Sequence, residues 1–346
     1  MIANYSGIHS KASYYVPKDK SYEVWAITVT NRSEQTRHLT LTGYAEFTNH
    51  SNYEQDQVNL QYSLFITRTL FQDNRIIQQI HGNLDTLDDS EQVDEKNVTE
   101  RFFGLSGASV SSYCGDKKVF LGGYNGYDKP VGVTSGDLGN QTSYNENACG
   151  ALSSKVTLEP QESKTLVFLL GEKSSQEAAE ILEHYKHPAK TVEAEIRELR
   201  KEWEDRLTNL QVNTPSPEFN TMLNTWNAYN CYMTFIWSRA ASFVYCGLRN
   251  GYGYRDTVQD IQGIIHLKPE MAAEKIRFML SAQVDNGGGL PLVKFTHNQD
   301  MKTHQMTLLT FKKLGTQLTV LMMLSGSSQQ FTNTFLKQET LLSLMK

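Results

Sequence analysis

Three arginines and two carboxylates crowd one aromatic stretch of this chain, Trp226 to Gly263. The cations are Arg239, Arg249 and Arg255, and the carboxylates are Asp256 and Asp260. Aromatic residues lie among them, and Gly247, Gly251 and Gly253 punctuate the run. Charges in such apolar company are costly to bury unless they are paired or bound to a ligand. Two readings fit. One is an internal Arg–Asp network that fixes a helix–loop–helix corner. The other is a polar ligand site, since perturbed charges mark both. Residue types alone do not choose between them.

The elements that must position these groups follow from the rest of the chain. Its 346 residues are enough for two domains and a sizeable core. Hydrophobic content of 39% and charged content of 21% suit a soluble globular protein. A net charge of -5 with no long basic run argues against a nucleic-acid partner. No apolar stretch is long enough to span a bilayer. The N-terminus lacks the layout of a secretory signal, so a cytoplasmic location is expected. Cys114, Cys149, Cys231 and Cys246 have no CxxC spacing, and His266 and His297 sit in no metal-ligand register. Reduced thiols are the simpler reading.

Residues 1–172 read as β structure. Tyr22–Thr30 places Trp25, Ile27 and Val29 on one face and Tyr22, Val24, Ala26 and Thr28 on the other. Many short strands with polar turns predict a large antiparallel sandwich. Residues 83–99 and 121–147 lack strong periodicity and are expected as long surface loops. Residues 173–213 read as a helical linker. Ser174-Ser175-Gln176-Glu177 has capping-box spacing, and Val192, Ile196, Leu199, Trp203 and Leu207 form one helical stripe. Pro215 and Pro217 mark a boundary. Residues 214–298 read as paired helices with Gly-rich loops, at Phe219–Ser238, Thr257–Ile265 and Pro269–Val284. That pattern fits an α/α barrel or a helical bundle.

The organising stretch also resembles a known family. Trp226-Asn227-x-Tyr229, Trp237-Ser238-Arg239-x-x-Ser242-Phe243 and Arg249-x-Gly251-x-Gly253-Tyr254-Arg255-Asp256-Thr257-x-Gln259-Asp260 look like the inverting disaccharide phosphorylases. These are cellobiose- and chitobiose-phosphorylase-like enzymes of glycoside hydrolase family 94, formerly glycosyltransferase family 36. The spacing from Arg249 to Asp256 is closer to the chitobiose branch. The resemblance covers roughly residues 4–298. It implies a multidomain β + α fold: an N-terminal antiparallel β-sandwich, a helical linker and the first part of an (α/α)6 barrel. It also implies phosphorolysis of a β-linked disaccharide to an α-sugar 1-phosphate and a monosaccharide. Phosphate attacks the anomeric carbon while a carboxylic acid protonates the leaving oxygen. Inorganic phosphate is then a co-substrate, no metal or organic cofactor is needed, and a homodimer is common. By position, Arg239 and Arg249 resemble arginines of the glycosyl subsite, with Arg249 at the phosphate. The planar Arg fork suits that anion. Asp256 resembles the carboxylate that grips sugar hydroxyls. Gly251, Gly253, Arg255 and Asp260 are expected to support the loop, and Gln259 fits either loop or sugar. Trp226, Trp237 and His266 are expected as structural residues.

The sequence also departs from that pattern. Asn4-Tyr5-Ser6-Gly7-Ile8 already resembles a mid-domain strand, so an N-terminally incomplete sandwich is expected. The family's general acid sits in a Trp-x-Asp context on a later barrel segment. The Trp-x-Asp run here is Trp203-Glu204-Asp205, on the linker helix. Residues 299–346 carry two acidic residues, Asp300 and Glu339, and lose the resemblance. Back-translation with a one-base shift forces Glu across Met301-Lys302 and Asp across Met306-Thr307 and Met322-Met323. It also permits family-like residues over Val320–Gln329. The expectation is a truncated, frameshifted fragment that is itself inactive. The alternatives are a non-catalytic carbohydrate-binding protein and a β-glucan-processing relative with the same barrel.

Overall fold

The computed structural model describes residues 1–47, 64–81, 98–237, 252–290 and 292–293. The chain divides into two units, Met1–Glu202 and Trp203–Lys346.

The first unit is built on two antiparallel sheets. The strands are β1 (Ile2–Tyr5), β2 (Ile8–Tyr15), β3 (Tyr22–Asn31), β4 (Arg37–Glu46), β5 (Thr67–Gln72), β6 (Arg75–His81), β7 (Val98–Ser106), β8 (Ser112–Asp116), β9 (Ala148–Leu158) and β10 (Ser163–Glu172). One sheet runs β1-β2-β3-β10-β7-β6-β5, and the other runs β4-β9-β8. Their facing sides share one core: Val29, Ile76, Phe103, Leu105, Leu166 and Phe168 from the large sheet meet Ala45, Leu152, Val156 and Leu158 from the small one. The alternation read in β3 is explained by what covers each side. Val29 belongs to the inter-sheet core, with Trp25 and Ile27 packed against it. Tyr22, Val24 and Ala26 lie under the helical layer on the opposite face. Both faces are apolar because both are covered.

That helical layer is α3 (Ser175–His184) and the start of α4 (Pro188–Leu207). The capping box forms as the spacing predicts, with Ser174 and Glu177 each satisfying the other's backbone N–H. Ala178, Leu182, Tyr185 and Val192 seat the layer on the large sheet. A carboxylate ties it down. Tyr15 and Tyr185 each donate to Glu195 Oε2 at 2.8 Å, and His184 Nε2 lies 3.2 Å from Oε1.

Between β8 and β9 the chain makes an excursion, residues 117–147, that carries two short helices, α1 (Lys117–Leu121) and α2 (Val131–Thr134). Its surface is largely exposed, as the composition of 121–147 suggests, but Phe120 and Leu138 turn inward. Of the second aperiodic stretch, Val98 and Thr99 belong to β7 rather than to a loop, and residues 83–97 lie outside the described set.

In the second unit, the expected Phe219–Ser238 helix is not uniform. It runs as α5 (Pro217–Thr221), a π-helical turn (Met222–Asn227) and α6 (Ala228–Trp237). α7 (Tyr254–Gln262) and α8 (Pro269–Ser281) follow, joined by a short turn. Ala228, Tyr232 and Phe235 of α6 pack with Ile261, Ile264, Leu267 and Ala272, and Trp203 and Leu207 cover this cluster. Met279 and Leu280 of α8 are buried. No helix among the described residues is long and apolar enough to cross a membrane.

Candidate functional site

The glycine-bracketed motif enters the structure at β11 (Tyr252–Gly253), which pairs with β12 (Leu292–Val293) through Tyr252↔Val293 and Gly253↔Leu292. α7 starts directly afterwards, with Gly253 at its N-cap. Asp256 is therefore in the first helical turn, where the free N–H groups and the helix dipole favour a negative charge. Its side chain is 40% exposed, with Oδ1 3.7 Å from Arg255 Nε. The Arg255 side chain is 81% exposed. A Cβ placed on Gly253 would lie 3.2 Å from Asp256 Oδ2, so glycine leaves the carboxylate room to turn back over the helix start.

The other side of α7 fixes that position. Thr257, Asp260 and Ile261 are buried. Asp260 lies close enough to Cys231 of α6 to act with burial in pushing that thiol's pKa up. The preceding residue, Tyr254, lies flat against the turn after α8, where a Cβ on Gly289 would come within 2.6 Å of the ring. That turn is held by Gly287 N donating to Val284 O and Val284 N donating to Gly288 O. Burial raises the Tyr254 pKa, partly offset by Gln283 beside its hydroxyl. Thus α6, the β11–β12 bridge and the glycine turn clamp three sides of the segment that presents Asp256.

Of the residues singled out in the sequence, Gly253, Arg255, Asp256, Gln259 and Asp260 fall on this one strand–helix junction. Arg239, Arg249 and Gly251 lie outside the described residues, as does the side chain of Trp237. Trp226 sits in the π-helical turn and is 54% exposed, which departs from the expected core role. His266 is also exposed, just beyond α7.

Sequence reading missed a neighbouring feature. A cavity of about 320 Å³ is lined by Phe235, Ile236, Tyr252, Met271, Glu274, Lys275 and Phe278. Lys275 Nζ stands 3.8 Å from the centre of the Tyr252 ring. Met271, Glu274, Lys275 and Phe278 follow the three-and-four spacing of one helix face. The spacing within α8 carries that signal. Among the described residues no cluster of His, Cys, Asp and Glu is arranged to hold a metal ion.

Residues 1–188 match the family model described as glycosyl hydrolase 94, supersandwich domain. The chain belongs to the glycosyl hydrolase 94 family. Residues 202–319 match the family's catalytic-domain model, a range that continues past Asn298. The chain is 32% identical over 290 residues to an N,N'-diacetylchitobiose phosphorylase of Vibrio proteolyticus, covering 84% of this chain and 34% of that protein. It is 30% identical over 289 residues to a second enzyme of that name from Vibrio furnissii, again over 84% and 34%. A solabiose phosphorylase of Paenibacillus borealis is 27% identical over 294 residues, 83% of this chain and 35% of its own. The chain spans about a third of the length of these relatives. The GH94 architecture accounts for both units: an antiparallel supersandwich with its helical linker, then the first helices of an (α/α)6 catalytic barrel.

Proposed function

We propose that this chain carries the sugar-gripping part of a GH94 active site whose reaction is inverting phosphorolysis of a β-linked disaccharide, of chitobiose type. The observation that carries the reading is Asp256. It is half exposed in the first turn of α7, with its backbone clamped on three sides and glycine beside its carboxylate. Such a group accepts hydrogen bonds from sugar hydroxyls without paying to reorganise. Arg239 and Arg249 supply planar donors on the segment that leads into Gly253, and Arg249 takes the phosphate. A chitobiose-type substrate is favoured over other disaccharides because the two chitobiose phosphorylases share more identity with this chain than the solabiose enzyme does. Phosphate is the nucleophile and leaves as part of the α-sugar 1-phosphate.

Turnover also needs a proton donor for the leaving oxygen. In these 346 residues the Trp-x-Asp sequence occurs at Trp203-Glu204-Asp205, at the end of the linker helix, whereas the acid belongs on a later barrel segment. Loss of a general acid costs about 10²–10⁴-fold in rate. By themselves, residues 1–346 are expected to bind sugar without turnover.

The test is calorimetry of the 346-residue chain with N-acetylglucosamine, glucose and phosphate, paired with an assay for sugar 1-phosphate. Binding of N-acetylglucosamine that Asp256→Ala weakens at least tenfold, with no product formed, supports the reading. Sugar binding unaffected by Asp256→Ala overturns the site, and product formation overturns the inactive assignment.

A further inference from the structure

Two buried cysteines of the sandwich, Cys114 and Cys149, stand outside the residues assigned to the sugar site. Cys114 lies in β8, two residues before Asp116 leads into the 117–147 excursion. Cys149 is the second residue of β9, where the excursion returns. Together they stand at its neck. The register explains why they meet. Cys114 opposes Ala151, and Asp116 opposes Ala148, with a bulge between. Directly opposed residues share a sheet face, and so does a residue two further along. Cys149 therefore lies on the Cys114 face, one diagonal step away, and the bulge at Gly115 bends β8 locally.

The contacts agree. Cys149 Sγ donates to the Cys114 carbonyl at 3.5 Å, and Cys114 Sγ donates to the Asp116 carbonyl at 3.2 Å. Both residues are 0% exposed and share a small cluster with Phe120, Leu138 and Ala151. The two thiols are unlike. The adjacent Cys149 thiol holds the Cys114 pKa below its ordinary value, while the Cys149 thiol is pushed up, first by Cys114 and then by burial. Cys114 is thus the better attacking group and Cys149 the resolving one.

We propose that Cys114 and Cys149 form a redox-active dithiol that closes the neck of the excursion as a disulfide when a low-molecular-weight disulfide oxidises it. The Cys114 thiolate attacks one sulfur of the oxidant, whose S–S bond breaks and releases one small thiolate. Cys149 then loses its proton to solvent and attacks the Cys114 sulfur, expelling the second small thiolate. Two electrons and two protons leave the protein, and the oxidant becomes two thiols. Phe120 and Leu138 must lift first, because neither sulfur is exposed. The reaction is therefore slower than at an open cysteine.

The test starts from the reduced 346-residue chain, incubated with hydroxyethyl disulfide, alkylated after denaturation and mapped by peptide mass. The expected result is a linked pair of peptides carrying Cys114 and Cys149, two hydrogens lighter than the dithiol and reversed by excess thiol. Cys149→Ser should accumulate a mixed disulfide on Cys114, and Cys114→Ser should give no linked pair. Full alkylation of both cysteines in the wild-type chain, with the oxidant found only on Cys231 or Cys246, overturns the proposal. A link to either of those residues overturns it as well. The wild-type map decides even if a serine variant fails to fold.

Discussion

Glu195 offers the sharpest test of how the linker is held on the sandwich. Its Oε2 accepts from Tyr15 and from Tyr185, both at 2.8 Å, and its side chain is 18% exposed. Tyr185 is 0% exposed, so water cannot replace the carboxylate there. Glu195→Ala takes the carboxylate acceptor from the buried Tyr185 hydroxyl, leaving it only its tyrosine neighbours, at about 1–3 kcal/mol. Tyr15 is only half-buried and recovers most of its loss from water, adding about 0.5–1 kcal/mol. The expected total of about 1.5–4 kcal/mol corresponds to roughly 10- to 1000-fold faster amide exchange over residues 185–196, where exchange proceeds through undocking. Tyr185→Phe keeps the packing and removes only one bond, so about 1–2 kcal/mol is expected. The double variant should cost no more than Glu195→Ala alone, because Tyr185→Phe also removes the hydroxyl that lost its acceptor. Hydrogen-exchange mass spectrometry on the 346-residue chain reads all three. Unchanged protection in Glu195→Ala, or full additivity with Tyr185→Phe, would refute the claim that this carboxylate docks the helix.

The same cluster gives a pH dependence. Burial first, and the neighbouring Tyr and Glu195 next, raise the pKa of Tyr185 above that of a free tyrosine. A pKa raised by folding means stability that is complete below the unfolded value of about 10 and declines as pH rises above it. Alkaline loss of α4 protection, blunted in Tyr185→Phe, is expected. At the acid end, burial alone would raise the Glu46 pKa, but donation from Lys117, Tyr127 and Tyr44 outweighs it and holds the carboxyl below its usual range. Its contribution is present above the ordinary glutamate pKa of about 4.3 and fades as pH falls through the lower folded value. Proteolysis of the 117–147 excursion should therefore speed up in acid, and Lys117→Met should move that onset to higher pH. Gly289→Ala drives a methyl group to 2.6 Å from the Tyr254 ring and should cost about 1–3 kcal/mol. Calorimetry should show weaker sugar binding as Tyr254, and with it Asp256, shifts. Wild-type affinity in that variant would detach the glycine turn from the site.

The unequal legibility of the two units has a physical basis. A strand announces itself by a period of two, and a sheet covered on both sides by apolar residues at every position. β3 carries the first signal and most of the second, with Glu23, Thr28 and Thr30 as its polar exceptions, and only the partner of each face was left to learn. The helix start at Ser174 was legible because a capping box is a local bargain between four residues. The Phe219–Trp237 helix was less so. In its π-helical turn, Asn224 accepts from the N–H of Val212 and donates to its carbonyl, at 2.7 and 2.8 Å, tying the turn to a residue outside the helix. No periodicity within the helix encodes that anchor. The site shows the same division. Asp256 could be found because its motif is contiguous, whereas Gly289, which packs on the neighbouring Tyr254 ring, comes from a later turn. Lys275 lay hidden because it reaches Tyr252 across a helix face rather than along the chain. Sequence therefore exposes the groups that do chemistry when they share a segment. It conceals their supports, because a support is defined by distance in space. On that argument, variants at Gly289 test the site more severely than variants at Arg255. Arg255 belongs to the motif, but its side chain is 81% exposed.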